Sequence, residues 1–145
     1  MIAADTSALM AIVLDEPMAQ ACMAALEAED EVVLSAGTLA ELLIVSARRR
    51  VGTRMADFLA RFDFNIVPVT AAAALRVGQA YEQWGRGMHP AGLNFGDCFA
   101  YAVAQEHACR LLYVGDDFAK TDIERYSLIV ATPASRALRR ASFAT

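Results

Sequence analysis

Five acidic residues stand where a folded chain can bring carboxylates together: Asp5, Glu41, Asp97 and the pair Asp116-Asp117. Asp5 ends the apolar run Ile2-Ala3-Ala4 and is followed by two hydroxyls, Thr6 and Ser7. Asp116-Asp117 follow Leu111-Leu112-Tyr113-Val114-Gly115. Glu41 and Asp97 sit inside helical, largely apolar stretches, Leu39-Ala40-Glu41-Leu42-Leu43 and Phe95-Gly96-Asp97-Cys98-Phe99. Each acid taken alone has an ordinary explanation. Asp5 serves as a helix cap, Asp97 as a first-turn acid favoured by the helix dipole, Glu41 as a solvated helix face, and Asp116 or Asp117 as turn residues. One cluster accounts for all of them together.

Such a cluster carries a requirement. Two carboxylates ~4 Å apart repel by about 4 kcal/mol at an effective dielectric near 20, which a divalent cation relieves. All-oxygen ligands with positions left to water suit Mg²⁺, with Mn²⁺ as the alternative. His89 and His107 are not spaced as a zinc pair and no cysteine joins them, so zinc is disfavoured. A carboxylate-held Mg²⁺ has an evident use in phosphodiester hydrolysis. It polarises the phosphate, lowers the pKa of an attacking water and stabilises the leaving oxyanion. Thr6 and Ser7 would orient that water or the phosphate, or would simply cap a helix.

The elements that must position these acids alternate along the chain. Ile2 to Ala4 reads as a buried strand, followed by a helix to Leu14 and a second over Met18 to Glu29, with Pro17 at its first position. Val32 to Leu34 is a second strand, Ser35 to Arg50 a helix, and Arg54 to Phe62 another. Ile66 to Val69 is a third strand, with Pro68 placing it at a sheet edge or strand end. Thr70 caps a helix to about Trp84, and a Gly-rich loop over 85–92 leads to a helix starting at Asn94 or Gly96 and running to His107. Leu111 to Val114 and Leu128 to Val130 complete about five strands. Strands alternating with helices predict an α/β domain with a central, mainly parallel sheet flanked by helices. In such sheets ligands bind beyond the carboxyl ends of the strands, where Asp5 and Asp116-Asp117 fall.

Composition bounds the rest. The chain has 145 residues, 57% hydrophobic and 21% charged, which is one domain, 1–145, able to fold without disulfides. A net charge of −4 excludes a wholly basic nucleic-acid binder but not a local basic rim. Cys22, Cys98 and Cys109, with no CxxC spacing, read as buried reduced thiols. The start lacks a positive n-region and no stretch approaches a membrane span, so a cytoplasmic protein without membrane contact is expected. Arg48-Arg49-Arg50 read as a solvated helix end, with RNA steering as the second option. Arg86 and His89 read as loop residues, with phosphate contact as theirs. Trp84, Phe58, Phe62 and Phe64 read as core or interface.

Four blocks together resemble the PIN-domain proteins, specifically the VapC-type toxin ribonucleases of bacterial toxin–antitoxin pairs. They are Ile2-Ala3-Ala4-Asp5-Thr6-Ser7-Ala8, Glu41 in the helix after the second strand, Gly92 to Ala102, and Leu111 to Phe118 with Thr121-Asp122-Ile123. The blocks stand in the family's order along essentially the whole chain. The resemblance implies a Mg²⁺-dependent endoribonuclease with Asp5, Glu41, Asp97 and a fourth acid at the catalytic and metal-binding centre. The pattern Gly-x-Asp-Phe favours Asp117 as the fourth, with Asp116 as the alternative. It also implies an RNA substrate, a homodimer, and inhibition by a small VapB-like antitoxin.

Two other strand-end-acid folds fail on their own residues. A haloacid-dehalogenase phosphatase needs an acid two residues after Asp5, where Ser7 stands. A receiver domain needs paired acids at the first strand and a late strand-end lysine, and the sole lysine is Lys120. The rival within the fold is a catalytically silent PIN domain that only binds RNA or protein. Such domains lose carboxylates, whereas this chain keeps all of them.

Overall fold

The computed structural model describes residues 1–128. Its strands are β1 (Ile2–Ala4), β2 (Val32–Ser35), β3 (Phe64–Val67) and β4 (Arg110–Leu112). Between them run α1 (Thr6–Val13), α2 (Ala19–Ala28), α3 (Ala36–Arg48), α4 (Gly52–Arg61), α5 (Ala71–Trp84) and α6 (Phe95–Glu106). The strands lie in the order β3-β2-β1-β4 and all pairings are parallel. Ile2 faces Val32 on one side and Arg110 on the other.

Because successive strand residues point to opposite faces, the sheet feeds two cores. Ile2, Ala4, Val32, Leu34 and Leu112 pack with Leu9, Leu26, Met55 and Phe58 from α1, α2 and α4. Ala3, Val33 and Leu111 pack on the opposite side with Ala80, Tyr101 and Val103 from α5 and α6. Strands buried on both faces are continuous apolar runs, which is why three-residue segments such as Ile2–Ala4 were readable as strands.

The differences from the sequence reading are local. Asp15 takes a left-handed conformation (φ 52°) and Pro17 lies in a turn, so α2 starts two residues after the proline. α4 begins at Gly52. β3 starts at Phe64 and ends before Pro68, whose missing N–H suits the residue after an edge strand. Four strands occur among the described residues. The expected fifth, over residues 128–130, lies outside them apart from Leu128, which is not in a strand. A single parallel bridge between Leu111 and Arg125 occupies the place beside β4. No helix among the described residues is long and apolar enough to cross a membrane.

β1 has β2 on one side and β4 on the other, so the strand order reverses at β1, the position where open parallel sheets bind ligands beyond their carboxyl ends. The chain leaves both strands there with its acids.

Candidate active site

Asp5 follows β1 directly, and its N–H donates to the Leu112 carbonyl at 3.0 Å, fixing it against the end of β4. It caps α1: the Ser7 N–H and Ser7 Oγ both donate to Asp5 Oδ2, at 3.0 and 2.6 Å. Ser7 Oγ in turn accepts from the Val114 N–H at 3.0 Å, so one hydroxyl joins Asp5 to the segment that leads into Asp116-Asp117. Asp5 is buried, and its Oδ1 is buried without a hydrogen-bond partner. Burial pushes the carboxyl up to about 6, against the pull of the Ser7 hydrogen bonds and with a further push from the Glu41 charge.

Asp97 comes from the first turn of α6. It forms a capping box with Asn94: the Asp97 N–H donates to Asn94 Oδ1 at 2.8 Å and the Asn94 N–H donates to Asp97 Oδ2 at 3.0 Å. Each aspartate caps through Oδ2, so the capping role does not engage Oδ1 of either. Burial pushes Asp97 up to about 7, and the charges of Asp5, Asp117 and Glu41 push it further in that direction while the Asn94 bond opposes them.

Glu41 arrives from α3 and accepts a hydrogen bond from Thr6 Oγ1. Its carboxylate occupies the space where a side chain on Gly96 would lie. One turn earlier on α3, Gly37 leaves room for the Phe99 ring in the same way. Two glycines thus let α3 and α6 approach until Glu41 stands beside Asp97.

Asp116 and Asp117 are exposed on the loop after β4, which turns at Gly115 (φ 92°) and is anchored by buried Phe118 packed 5.0 Å from the Tyr113 ring. Asp117 is the loop acid whose charge reaches Asp97, and the Asp116 charge reaches Tyr113. Among the described residues no three His, Cys, Asp or Glu side chains are gathered into a ready metal cage. Asp5, Glu41 and Asp117 are instead electrostatic neighbours of Asp97, with Asp5 and Asp97 buried and Asp117 exposed.

Other candidates resolve differently. His89 folds onto its own loop, its Nδ1 accepting from the Ala91 N–H at 2.9 Å and its ring edge-on to Trp84. Arg86 is exposed beside Asn94 and Phe95 along a groove of about 920 Å³ between α5 and α6. Arg48, Arg49 and Arg50 are exposed at the end of α3. Cys22 and Cys98 are buried thiols pushed up to about 11 by that burial, and Cys109 is half-buried.

Sequence reading takes Gly96 only as a possible helix start and gives Phe95 no role. Phe95 is 74% exposed on the first turn of α6, with its ring edge-on to Phe99. The one signal available was glycine at a helix position where propensity disfavours it.

The family model of the PIN domain matches residues 2–124. Ribonuclease VapC30 of Mycobacterium tuberculosis is 40% identical over 127 residues, covering 86% of this chain and 97% of the relative. A ribonuclease VapC of Mycolicibacterium smegmatis is 39% identical over 122 residues, covering 82% and 95%. In fold, the chain is similar to VapC20 of M. tuberculosis, a sarcin-ricin loop cleaving toxin, with TM-score 0.71, 18% identity, and 87% and 98% of the two chains covered. A toxin–antitoxin complex from Klebsiella pneumoniae gives TM-score 0.64 at 22% identity, covering 84% and 93%. VapBC2 of Rickettsia felis, bound to a DNA fragment from its promoter, gives 0.65 at 16%, covering 87% and 98%. With acids at the strand ends, a parallel sheet of this order and relatives at this identity, the chain belongs to the PIN-domain family and, within it, to the VapC ribonucleases.

Proposed function

We propose that residues 1–145 form one PIN domain that cleaves RNA phosphodiester bonds as a divalent-metal-dependent endoribonuclease, the cytoplasmic toxin of a toxin–antitoxin pair. The observation that carries this reading is the electrostatic coupling of Asp97 to Asp5, Glu41 and Asp117, together with the buried, unpartnered Asp5 Oδ1. A buried carboxylate oxygen with no donor is costly unless a cation meets it. The donor set is all oxygen, which fits Mg²⁺, with Mn²⁺ as the alternative. Asp5, Glu41, Asp97 and Asp117 would hold the ion.

Bound there, the cation supplies positive charge to the phosphate and its leaving oxygen. The chain's own residues do the rest. Ser7 fixes the Asp5 carboxylate through Oδ2 and leaves Oδ1 without a protein donor. Thr6 orients Glu41, and the Asn94 capping box orients Asp97. Arg86, exposed beside Asn94, would meet a phosphate of the RNA strand.

The partners follow from the same reading. VapB-like antitoxins accompany structural relatives in their complexes. An antitoxin segment carrying an arginine would pair with the carboxylates and mask them. A second copy of the chain would cover the apolar face of α5 and its groove, where Leu75 and Phe95 are 70% and 74% exposed. The test of the activity is cleavage of RNA by the purified protein with Mg²⁺ and with chelator. Full cleavage by an Asp5→Asn, Asp97→Asn double variant would refute the mechanism.

A further inference from the structure

The loops that border the site converge on one buried phenol. Trp84 Nε1 donates to Tyr101 Oη at 3.0 Å, and Tyr101 Oη donates to Asp122 Oδ1 at 2.6 Å. The single hydroxyl proton is committed to Asp122 while the oxygen accepts from Trp84. Tyr101 is 1% exposed and lies four residues after Asp97 on α6, so the two share a helix face one turn apart. Trp84 ends α5 and opens the Gly-rich loop; its carbonyl accepts from the Leu93 N–H at 2.9 Å and its ring meets His89. Asp122 closes the loop that carries Asp116 and Asp117. That loop is held internally, with the Ala119 N–H donating to the Asp116 carbonyl at 3.0 Å and Thr121 Oγ1 to the Phe118 carbonyl at 2.7 Å.

Packing alone does not require this arrangement. A phenylalanine at 101 would fill the core equally well, and Asp122, an exposed residue, would be hydrated by water if it turned outward. The short bond draws its carboxylate to α6 instead. We propose that Tyr101 is a positioning residue of the nuclease site: through the Trp84–Tyr101–Asp122 relay it holds the loop bearing Asp117, and the Gly-rich loop, in register with Asp97. This deepens the proposed function and rests on the acids being the metal-binding centre.

The chain has one tryptophan, Trp84, so its emission reports the relay directly. The experiment titrates Mg²⁺ into the full-length wild type, Tyr101→Phe, Asp122→Asn and Asp122→Ala, followed by Trp84 emission and calorimetry, and then measures RNA cleavage at saturating Mg²⁺. In the wild type, Mg²⁺ shifts Trp84 emission. In Tyr101→Phe and Asp122→Ala the shift is lost, and Mg²⁺ affinity and kcat each fall by about tenfold or more, as when outer supports of metal ligands are removed. KM for RNA moves by less than about twofold, because the loss is in alignment rather than RNA contact. Asp122→Asn keeps Oδ1 as acceptor and stays near wild type. Asp122→Ala leaves the core untouched, so it carries the test should Tyr101→Phe not fold. A lowered Tm with wild-type Mg²⁺ affinity and kcat would overturn the proposal and leave the relay merely structural. A wild type that binds no Mg²⁺ would overturn the site reading as well, whereas an inactive Asp97→Asn beside a normal Tyr101→Phe and Asp122→Ala would overturn the relay alone.

Discussion

The carboxylate of Glu41 lies in the space that a side chain on Gly96 would fill, one residue before Asp97. Gly96 has ordinary helical backbone, so its lack of a side chain serves the neighbour and not its own conformation. Gly96→Ala is therefore expected to separate stability from activity. Alanine improves helix propensity by about 0.5–1 kcal/mol, while the added methyl displaces Glu41 and lowers RNA cleavage on the order of 10²-fold. In a Glu41→Ala background the same change should add almost nothing, because the group it displaces is gone. Cleavage assays on the four-member cycle give the answer; additive losses would show that Gly96 acts elsewhere.

Stability should fall as pH rises through the neutral range when no metal is present. Asp5 and Asp97 titrate near 6 and 7 in the fold, against an ordinary value of 3.8. The folded protein thus binds more protons than the unfolded chain between these values. The associated stability is complete below about pH 4 and is lost as pH rises through 6 and 7. Metal-free protein should melt on the order of 5 °C higher at pH 5.5 than at pH 8, and Mg²⁺ at pH 8 should restore the difference. Asp97→Asn removes one charge and should flatten the profile. Thermal scans across pH, with and without Mg²⁺, check the sign.

The order of strands and helices was legible because it is written in local patterns: apolar runs buried on both faces, and caps at Asp5, Ser35, Thr70 and Asn94. The β3 start was misplaced because Asn65 is polar. On an edge strand its side chain faces outward and bonds Glu31 at 2.8 Å, so polarity there does not break the strand. Asp5 and Asp116-Asp117 were legible as candidates by type and by their place after strands, Glu41 and Asp97 only as acids within apolar helical stretches. What was illegible depends on long-range approach: Ser7 bridging to Val114, Glu41 nested on Gly96, and Tyr101 reaching Asp122. No local periodicity encodes which helices cross closely enough for such contacts.

The homodimer of the proposed function would seat its second copy on α5. Leu75 is 70% exposed on this helix, beside the groove to α6 that Val77, Tyr81 and Phe99 line. Leu75→Glu would place a charge in that apolar contact without touching the core. Light scattering should show a dimer for the wild type and a monomer, at least tenfold weaker in association, for the variant, as burying an unpaired charge costs several kcal/mol. A monomeric wild type at high concentration would sink the expectation.

The two loop acids should differ in their effect on cleavage. Asp117 and Asp116 are adjacent and both exposed, so exposure does not separate them. Their fields do: the Asp117 charge acts on Asp97, and the Asp116 charge acts on Tyr113. A carboxylate that shares a cation with Asp97 must also repel it in the cation's absence, and of the two loop acids Asp117 is the one whose charge is among the main pushes on Asp97. Asp117→Asn is then expected to reduce kcat by about 10²–10⁴, the range for losing a group that stabilises transition-state charge, together with Mg²⁺ affinity. Asp5→Asn and Asp97→Asn should fall at least as far, with Glu41→Gln close behind. Asp116→Asn should remain within about tenfold of wild type, because its charge enters only through the rim field. Single-turnover cleavage at saturating Mg²⁺ on all five variants orders them. The reverse ordering of Asp116 and Asp117 would move the fourth acid by one residue and leave the cation-based chemistry standing.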